Sequence, residues 1–369
     1  MTFTLGFLVN RDEFSTKTTG ERKTFLKFDF KKEIQPRIGF IYVLDEKAGD
    51  KIYANFGRYN CMDNKSIARA AAPLRVYQSD AYLLVDGTLL SDTPRAAETG
   101  KVLLPDINPT YQDEFLVGYS RPFAQKWVID IWGQYRHVKN VIEDFPTVKR
   151  ETSPSSFVYG NLDGSTRAFG ALAKRIYRAF NIQIQHPFAN NWSLSVMYTW
   201  SRLTGNWDLD YAPGSALFYA SSALEDGPGL YVGDPNRDGI LIGDRTHVFK
   251  VFGTWQFYKR TFLGAYLRVQ SGRPWEKRAM DDYWGYSGYY KYLEKAGSNR
   301  LKTWPNLDIL VSHSIPFGKF NGVIEARIMN ALNTQTVLSI DMRGDQPTFK
   351  NATSYGSPRK FILTFYINF

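Results

Sequence analysis

The stretch GDPNRDGILIGD carries oxygen donors at the spacing a hard cation wants. Asp234, Asn236 and Asp238 alternate, and Gly239 follows where a calcium loop needs its sharp turn. The closing position, where such a loop needs a bidentate Glu, is Arg245, and Asp244 stands one residue early. Two readings stay open: weak Ca2+ binding in this loop, or a turn-rich surface loop that binds no cation.

Other chemistry has less support. The 4 His residues, His137, His186, His247 and His313, are isolated, with no H-E-x-x-H pattern and no ligand-spaced partner. Neither a G-x-S-x-G elbow nor a glycine-rich phosphate loop is present. Adjacent carboxylates such as Asp281 and Asp282 fall in polar loops, where solvated charge is the default. The single Cys61 excludes a disulfide framework and a thiolate cluster. These features point away from an enzyme. The Tyr-rich run DDYWGYSGYYKYL is either a stacking surface for sugars or peptides or a cover over a mouth.

The elements that must position these residues are strands. In NWSLSVMYTWSRL, Trp192, Leu194, Val196, Tyr198 and Trp200 share one face, and Ser193, Ser195, Met197, Thr199 and Ser201 the other. KWVIDIWGQYR sets Trp127, Ile129, Ile131 and Tyr135 against Lys126, Asp130, Gln134 and Arg136. The same alternation turns Asp130, Lys250, Arg268, Gln270, Glu325 and Arg327 toward a polar interior, where they either meet a passing ligand or simply line a lumen. Strands are predicted near 2–10, 37–45, 51–60, 111–121, 126–139, 174–186, 191–204, 245–258, 261–273, 303–316, 321–333 and 359–369, with 24–30 extending into a surface loop.

Connections between these strands are asymmetric. SRPFAQKWVIDIW, QHPFANNWSLSVMY and SIPFGKFNGVIEARI each run a strand into Pro-Phe, a few small polar residues and a second strand. WQFYKRTFLGAYL and YVLDEKAGDKIYANF repeat the device without the Pro-Phe. At the other ends lie long Gly-, Pro-, Asp-, Asn- and Tyr-rich stretches, at about 60–110, 140–172, 204–244, 273–303 and 333–357. Short turns on one side and long loops on the other describe an outer-membrane β-barrel. The expected fold is therefore all-β: a transmembrane antiparallel β-barrel sheet of about 12 strands, with long extracellular loops.

Composition agrees. The chain has 23 Tyr, 26 Phe and 9 Trp, yet its mean hydropathy is negative. Tyr and Trp suit a position with one apolar side and one wet tip. A run from Trp192 to Trp200 covers roughly 19 Å of height at a tilt of about 45°, enough to put rings near both edges of an apolar band about 25 Å tall. The net charge of +10 is scattered, without zinc-finger spacing, an RNP motif or a basic helix, so no nucleic-acid partner is read from it.

The segment PRIGFIYVLDEKAGDKIYANFGRYN resembles the PRLGF…DGKT…YGRFY hairpin of TonB-dependent receptors of the Oar-like group. DRTHVFKVFGTWQF, GAYLRVQSGRPW and RKFILTFYINF are similar to later strands of that family, and MTFTLGFLVNRDEF to its LTLNLGLRYDR strand. The resemblance runs from the first residue to the last. It implies a bacterial outer-membrane location and uptake of a bulky nutrient such as an oligosaccharide, peptide or metal chelate. A plug, a TonB box and a signal peptide are not visible, so residues 1–369 are expected to form the C-terminal part of such a barrel, from a truncation, an internal start or a fragmented gene. Partners implied are outer-membrane lipid, the missing N-terminal barrel and plug through which TonB acts, and the barrel-assembly machinery. The last strand resembles the terminal signal that this machinery reads, with Phe365, Tyr366 and Phe369 as its aromatics. An open curved sheet or a half-barrel completed by a partner is expected. The alternatives are a self-contained porin-like barrel for passive diffusion and a soluble β-rich carbohydrate- or peptide-binding module.

Overall fold

The structure, a computed structural model, describes residues 1–18, 21–46, 48–60, 79–83, 89–94, 102–104, 106–124, 126–146, 157–162, 172–207, 235–280 and 290–368. Twelve strands follow one another in a single antiparallel sheet: β1 (Thr2–Val9), β2 (Ile34–Asp45), β3 (Asp50–Asn60), β4 (Tyr111–Phe123), β5 (Trp127–Lys139), β6 (Arg175–Ala189), β7 (Trp192–Gly205), β8 (His247–Tyr258), β9 (Thr261–Gln270), β10 (Trp304–Phe317), β11 (Phe320–Met329) and β12 (Lys360–Asn368). Spatial order equals sequence order, and a two-residue strand at Gly239–Ile240 adds to the loop end of β7. Several of these strands run to 12–15 residues, far beyond the roughly 5–6 usual in soluble sheets.

Turn chemistry sets the register. Asn190 and Asn191 lie at φ 52° and 70°, the pair of left-handed residues that a tight hairpin requires, and they join β6 to β7. Ala124 and Lys126 between β4 and β5, Arg260 between β8 and β9, and Gly318 between β10 and β11 also have positive φ. The ladder then follows: Ile184 faces Val196, Ile182 faces Tyr198 and Phe180 faces Trp200.

One face of the sheet is apolar and uncovered. Phe115, Val117, Phe180 and Trp200 on the middle strands and Leu5, Phe7, Phe361 and Leu363 on the end strands are exposed, Val117 at 57% and Leu363 at 77%. In water each such side chain would forgo about 1.5–3 kcal/mol of burial. Lipid removes that penalty. At the short-turn end the belt closes in a row of rings: Phe123 to Trp127 at 6.3 Å, Trp127 to Trp192 at 5.8 Å, Trp255 to Phe257 at 5.7 Å and Phe317 to Phe320 at 5.8 Å. A row of rings at this edge is the pattern of the aromatic girdle of a membrane barrel.

The compact packing is at the opposite end. Leu26, Phe28, Ile107 and Ile142 form a buried cluster, with Phe14, Phe25, Leu103 and Leu104 against it. Phe14, Phe25, Leu26 and Phe28 come from a hairpin of Asp12–Thr18 and Glu21–Phe28 above the sheet. From the sequence only 24–30 is expected there as strand. DEFSTKT has no apolar alternation, and only its partner strand makes it extended.

β1 pairs only with β2, and β12 only with β11, among the described residues. Both outer ladders are left open, and no closure of the sheet is seen.

Candidate functional site

The face opposite the belt is polar, and its side chains reach across strands. Tyr53 of β3 donates its hydroxyl to Asp130 Oδ1 of β5 at 2.6 Å. Gly118 of β4 lies between them in register with both Tyr53 and Trp132. A Cβ there would sit 2.4 Å from the Tyr53 ring and 2.8 Å from Trp132 Cβ, so glycine keeps the path clear. On β11, Glu325 pairs with Arg327, and Glu325 Oε1 also accepts from the Tyr366 hydroxyl of β12 at 3.2 Å.

Lys250 and Arg268 stand directly opposite each other on β8 and β9. Arg268 stacks its guanidinium over Trp304 at 5.8 Å, and its Nε is buried without a hydrogen-bond partner. Gln270, 3% exposed, likewise leaves Oε1 unpartnered. Just above, burial makes the Arg245 guanidinium easier to deprotonate than usual, and the neighbouring charges of Arg273, Arg300 and Arg268 add to this, against the opposite pull of Asp244. The inner wall at β8 and β9 therefore ends in a positive corner.

Asp244 holds that corner together. Its side chain is fully buried and accepts from Leu203 N at 2.8 Å, Thr246 Oγ1 at 2.9 Å and Arg300 Nη2 at 2.6 Å. Arg300 also donates to Gly272 O at 2.9 Å. One carboxylate thus ties β7, the approach to β8 and the connection before β10. A second buried pair, Glu276 with Arg278, takes Gly297 N at 2.9 Å and sets Arg278 over the Tyr292 ring at 4.6 Å. The loop platform over this half of the sheet is held by charge-assisted bonds, which are about twice as strong as neutral ones.

Of the residues singled out from sequence, Asp130, Lys250, Arg268, Gln270, Glu325 and Arg327 all lie on the polar face opposite the belt, but in separate places. Lys250, Arg268 and Gln270 cluster beside Trp304; Glu325 and Arg327 sit near the β12 edge; Asp130 is engaged by Tyr53. In the calcium-type loop Asn236 donates to Tyr292 O at 3.2 Å, and Asp238 Oδ2 meets Lys174 Nζ at 2.7 Å. A cation there would have to displace that ammonium. Asp234 and Phe369 lie outside the described residues, as do positions 281–289 of the Tyr-rich loop. Among the described residues no group of three or more His, Cys, Asp or Glu could hold a metal. Arg273 and Arg300 carry no site motif in the sequence. Their signal is only spatial, since Arg300 and Asp244 are 56 residues apart.

No family model matches the chain. A curated relative does: the TonB-dependent transporter Oar of Myxococcus xanthus, 26% identical over 298 residues, covering 70% of this chain. The chain is a homologue of a TonB-dependent transporter. It matches 27% of that relative's length. Solved structures give the fold. The outer membrane transporter YddB of Escherichia coli superposes with TM-score 0.59 at 14% identity, covering 92% of the chain and 41% of its own. The ferripyoverdine receptor of the outer membrane of Pseudomonas aeruginosa gives 0.52 at 12% identity, covering 99% and 36%. The ferric-catecholate import receptor Fiu of E. coli K12 gives 0.50 at 12% identity, covering 98% and 42%. The chain has the antiparallel sheet seen in these outer-membrane barrels, and its bare apolar belt suits the outer membrane.

Proposed function

We propose that residues 1–369 form a twelve-strand section of the wall of a TonB-dependent nutrient transporter, the C-terminal part of its barrel. The observation that carries this reading is the pair of open ladders at β1 and β12 on a sheet whose outward face suits lipid. An exposed edge of this length invites pairing with further strands. Those strands, and the plug on which TonB acts, would come from the remainder of the transporter, and the barrel-assembly machinery would take the β12 strand as its signal.

The cargo is a bulky anion, a metal chelate in preference to a neutral oligosaccharide or peptide. Support comes from the positive corner of Lys250, Arg268 and Arg245, where inward cations focus the field on an approaching ligand. Arg268 over Trp304 adds a flat surface on which a chelate ring could stack.

Site-directed crosslinking in the native membrane tests the wall. With Cys61 changed to Ser, a cysteine at Leu5 and another at Leu363 should each crosslink to other strands of the assembled transporter. A crosslink between the two positions within one chain would instead indicate a closed small barrel, the diffusion pore. For the cargo, Lys250→Glu with Arg268→Glu should weaken capture of anionic chelates tenfold or more and leave neutral sugars unaffected.

A further inference from the structure

The lipid-facing side carries a groove of about 630 Å³ on its loop half. Ala54 and Gly133 form the floor, with Phe56, Phe115 and Tyr135 as the wall and Arg178 at one end. Phe56 and Phe115 stand 4.7 Å apart, Phe115 and Tyr135 6.4 Å, and the Arg178 guanidinium lies 5.6 Å from the Tyr135 ring centroid. Gly133 leaves the middle of the groove open. A Cβ there would meet nothing nearer than Ala179 O at 4.0 Å, so no neighbour demands a glycine. A glycine inside a strand often marks a place where a ligand comes close.

The charge at the end of the groove points the same way. Arg178 and Arg202 are directly opposed across β6 and β7. Like charges in that position repel. Among the described residues neither has an acid in salt-bridge range, and the nearby outward acid, Asp113, is held by Arg58 at 2.7 and 3.0 Å. Two residues nearer the short turns the same faces carry Phe180 and Trp200, also opposed. Apolar rings therefore give way to paired guanidiniums on the loop side of the belt.

We infer that this groove is a binding site for a lipid with a phosphorylated headgroup. One acyl chain lies over Ala54 and Gly133, and the phosphate bridges Arg178 and Arg202, relieving their repulsion. The site faces away from the lumen and rests on the membrane-spanning reading, not on transport.

Native mass spectrometry of the full chain, folded in detergent and checked by circular dichroism, tests this with lipid A as probe. The wild-type chain should retain one lipid A molecule. Arg178→Gln with Arg202→Gln should reduce retention at least tenfold, and Gly133→Leu should do so without changing charge. Dephosphorylated lipid A should bind at least tenfold more weakly. Equal retention of both lipids, or no effect of either variant, overturns the inference. Displacement of lipid A by inorganic phosphate alone would reduce the site to a simple anion site and overturn it too. Should the arginine variant not fold, Gly133→Leu and the two-lipid comparison still decide. A wild-type chain that folds only without detergent fails the membrane reading itself, a result distinct from a folded chain that retains no lipid.

Discussion

Tyr53 and Asp130 meet at 2.6 Å although a whole strand separates them, because Gly118 leaves the intervening position empty. Three strands are thereby locked in one register by a side-chain bond on the inward face. Replacing Gly118 with Ala should push the Tyr53 ring aside and break that bond, at about 1–3 kcal/mol, the usual cost of overpacking. The urea midpoint of the chain folded in detergent should fall accordingly. Tyr53→Phe in the Gly118→Ala background should then add little, since the bond is already lost.

Asp244 should be the most sensitive acid of the loop platform. Asp244→Ala leaves Arg300, Thr246 and Leu203 N without their shared acceptor. Removing one partner of a buried pair costs about 3–5 kcal/mol, and the lower end applies because Arg300 is 25% exposed. Asp244→Asn keeps the shape and part of the bonding, so it should cost less. Hydrogen exchange across 241–246 and 298–301 is the readout, and an unchanged pattern in the alanine variant would refute the role.

Glu33 gives the first loop a pH dependence. Its carboxyl is 1% exposed and Oε1 has no partner; burial, helped by the charge of Asp12, pushes its pKa up to about 7. The folded value lies above the unfolded one, so the folded state holds the proton more tightly. Its contribution is therefore fully present below the ordinary carboxylate range and is lost as pH rises toward 7. Acidifying from pH 8 to pH 5 should raise the protection factors of Asp12–Phe28, with the intrinsic slowing of exchange at lower pH divided out. Glu33→Gln should remove that dependence and stabilise the hairpin at pH 8.

The aromatic girdle predicts contact with lipid. Trp127, Trp192 and Trp255 face outward near the short turns, with Trp192 stacked on His186 at 3.9 Å. In vesicles, lipids brominated near the headgroup should quench these tryptophans more than lipids brominated at the chain ends. Trp192→Ala should lower folding yield into vesicles. Equal quenching by both lipids would mean the girdle does not sit at an interface.

Much of the scaffold was readable because a membrane strand repeats a simple rule many times. Alternation with period two in QIQ and SLSVMYTW, and small polar residues such as Asn190 and Asn191, locate strands and turns locally. Twelve strands in sequential order need no long-range information, since each hairpin fixes its neighbour. Boundaries were looser where the pattern fades into polar loops: β11 stops at Met329, before the expected 333, and β2 begins at Ile34, before the expected 37. In GDPNRDG the spacing leaves a cation loop and a bare turn both open, and nothing in it announces that Lys174 lies against Asp238.

The sequence by itself determined which side chains face lipid and which face inward, because pleating makes that a local property of every second residue. Tertiary structure alone decided what those faces contain. The Asp244–Arg300 hub, the Tyr53–Asp130 bridge over Gly118 and the opposed Arg178 and Arg202 each depend on register between strands distant in sequence. Register fixes which charge stands beside which, and that is a sum over the whole ladder, not a property of any one segment.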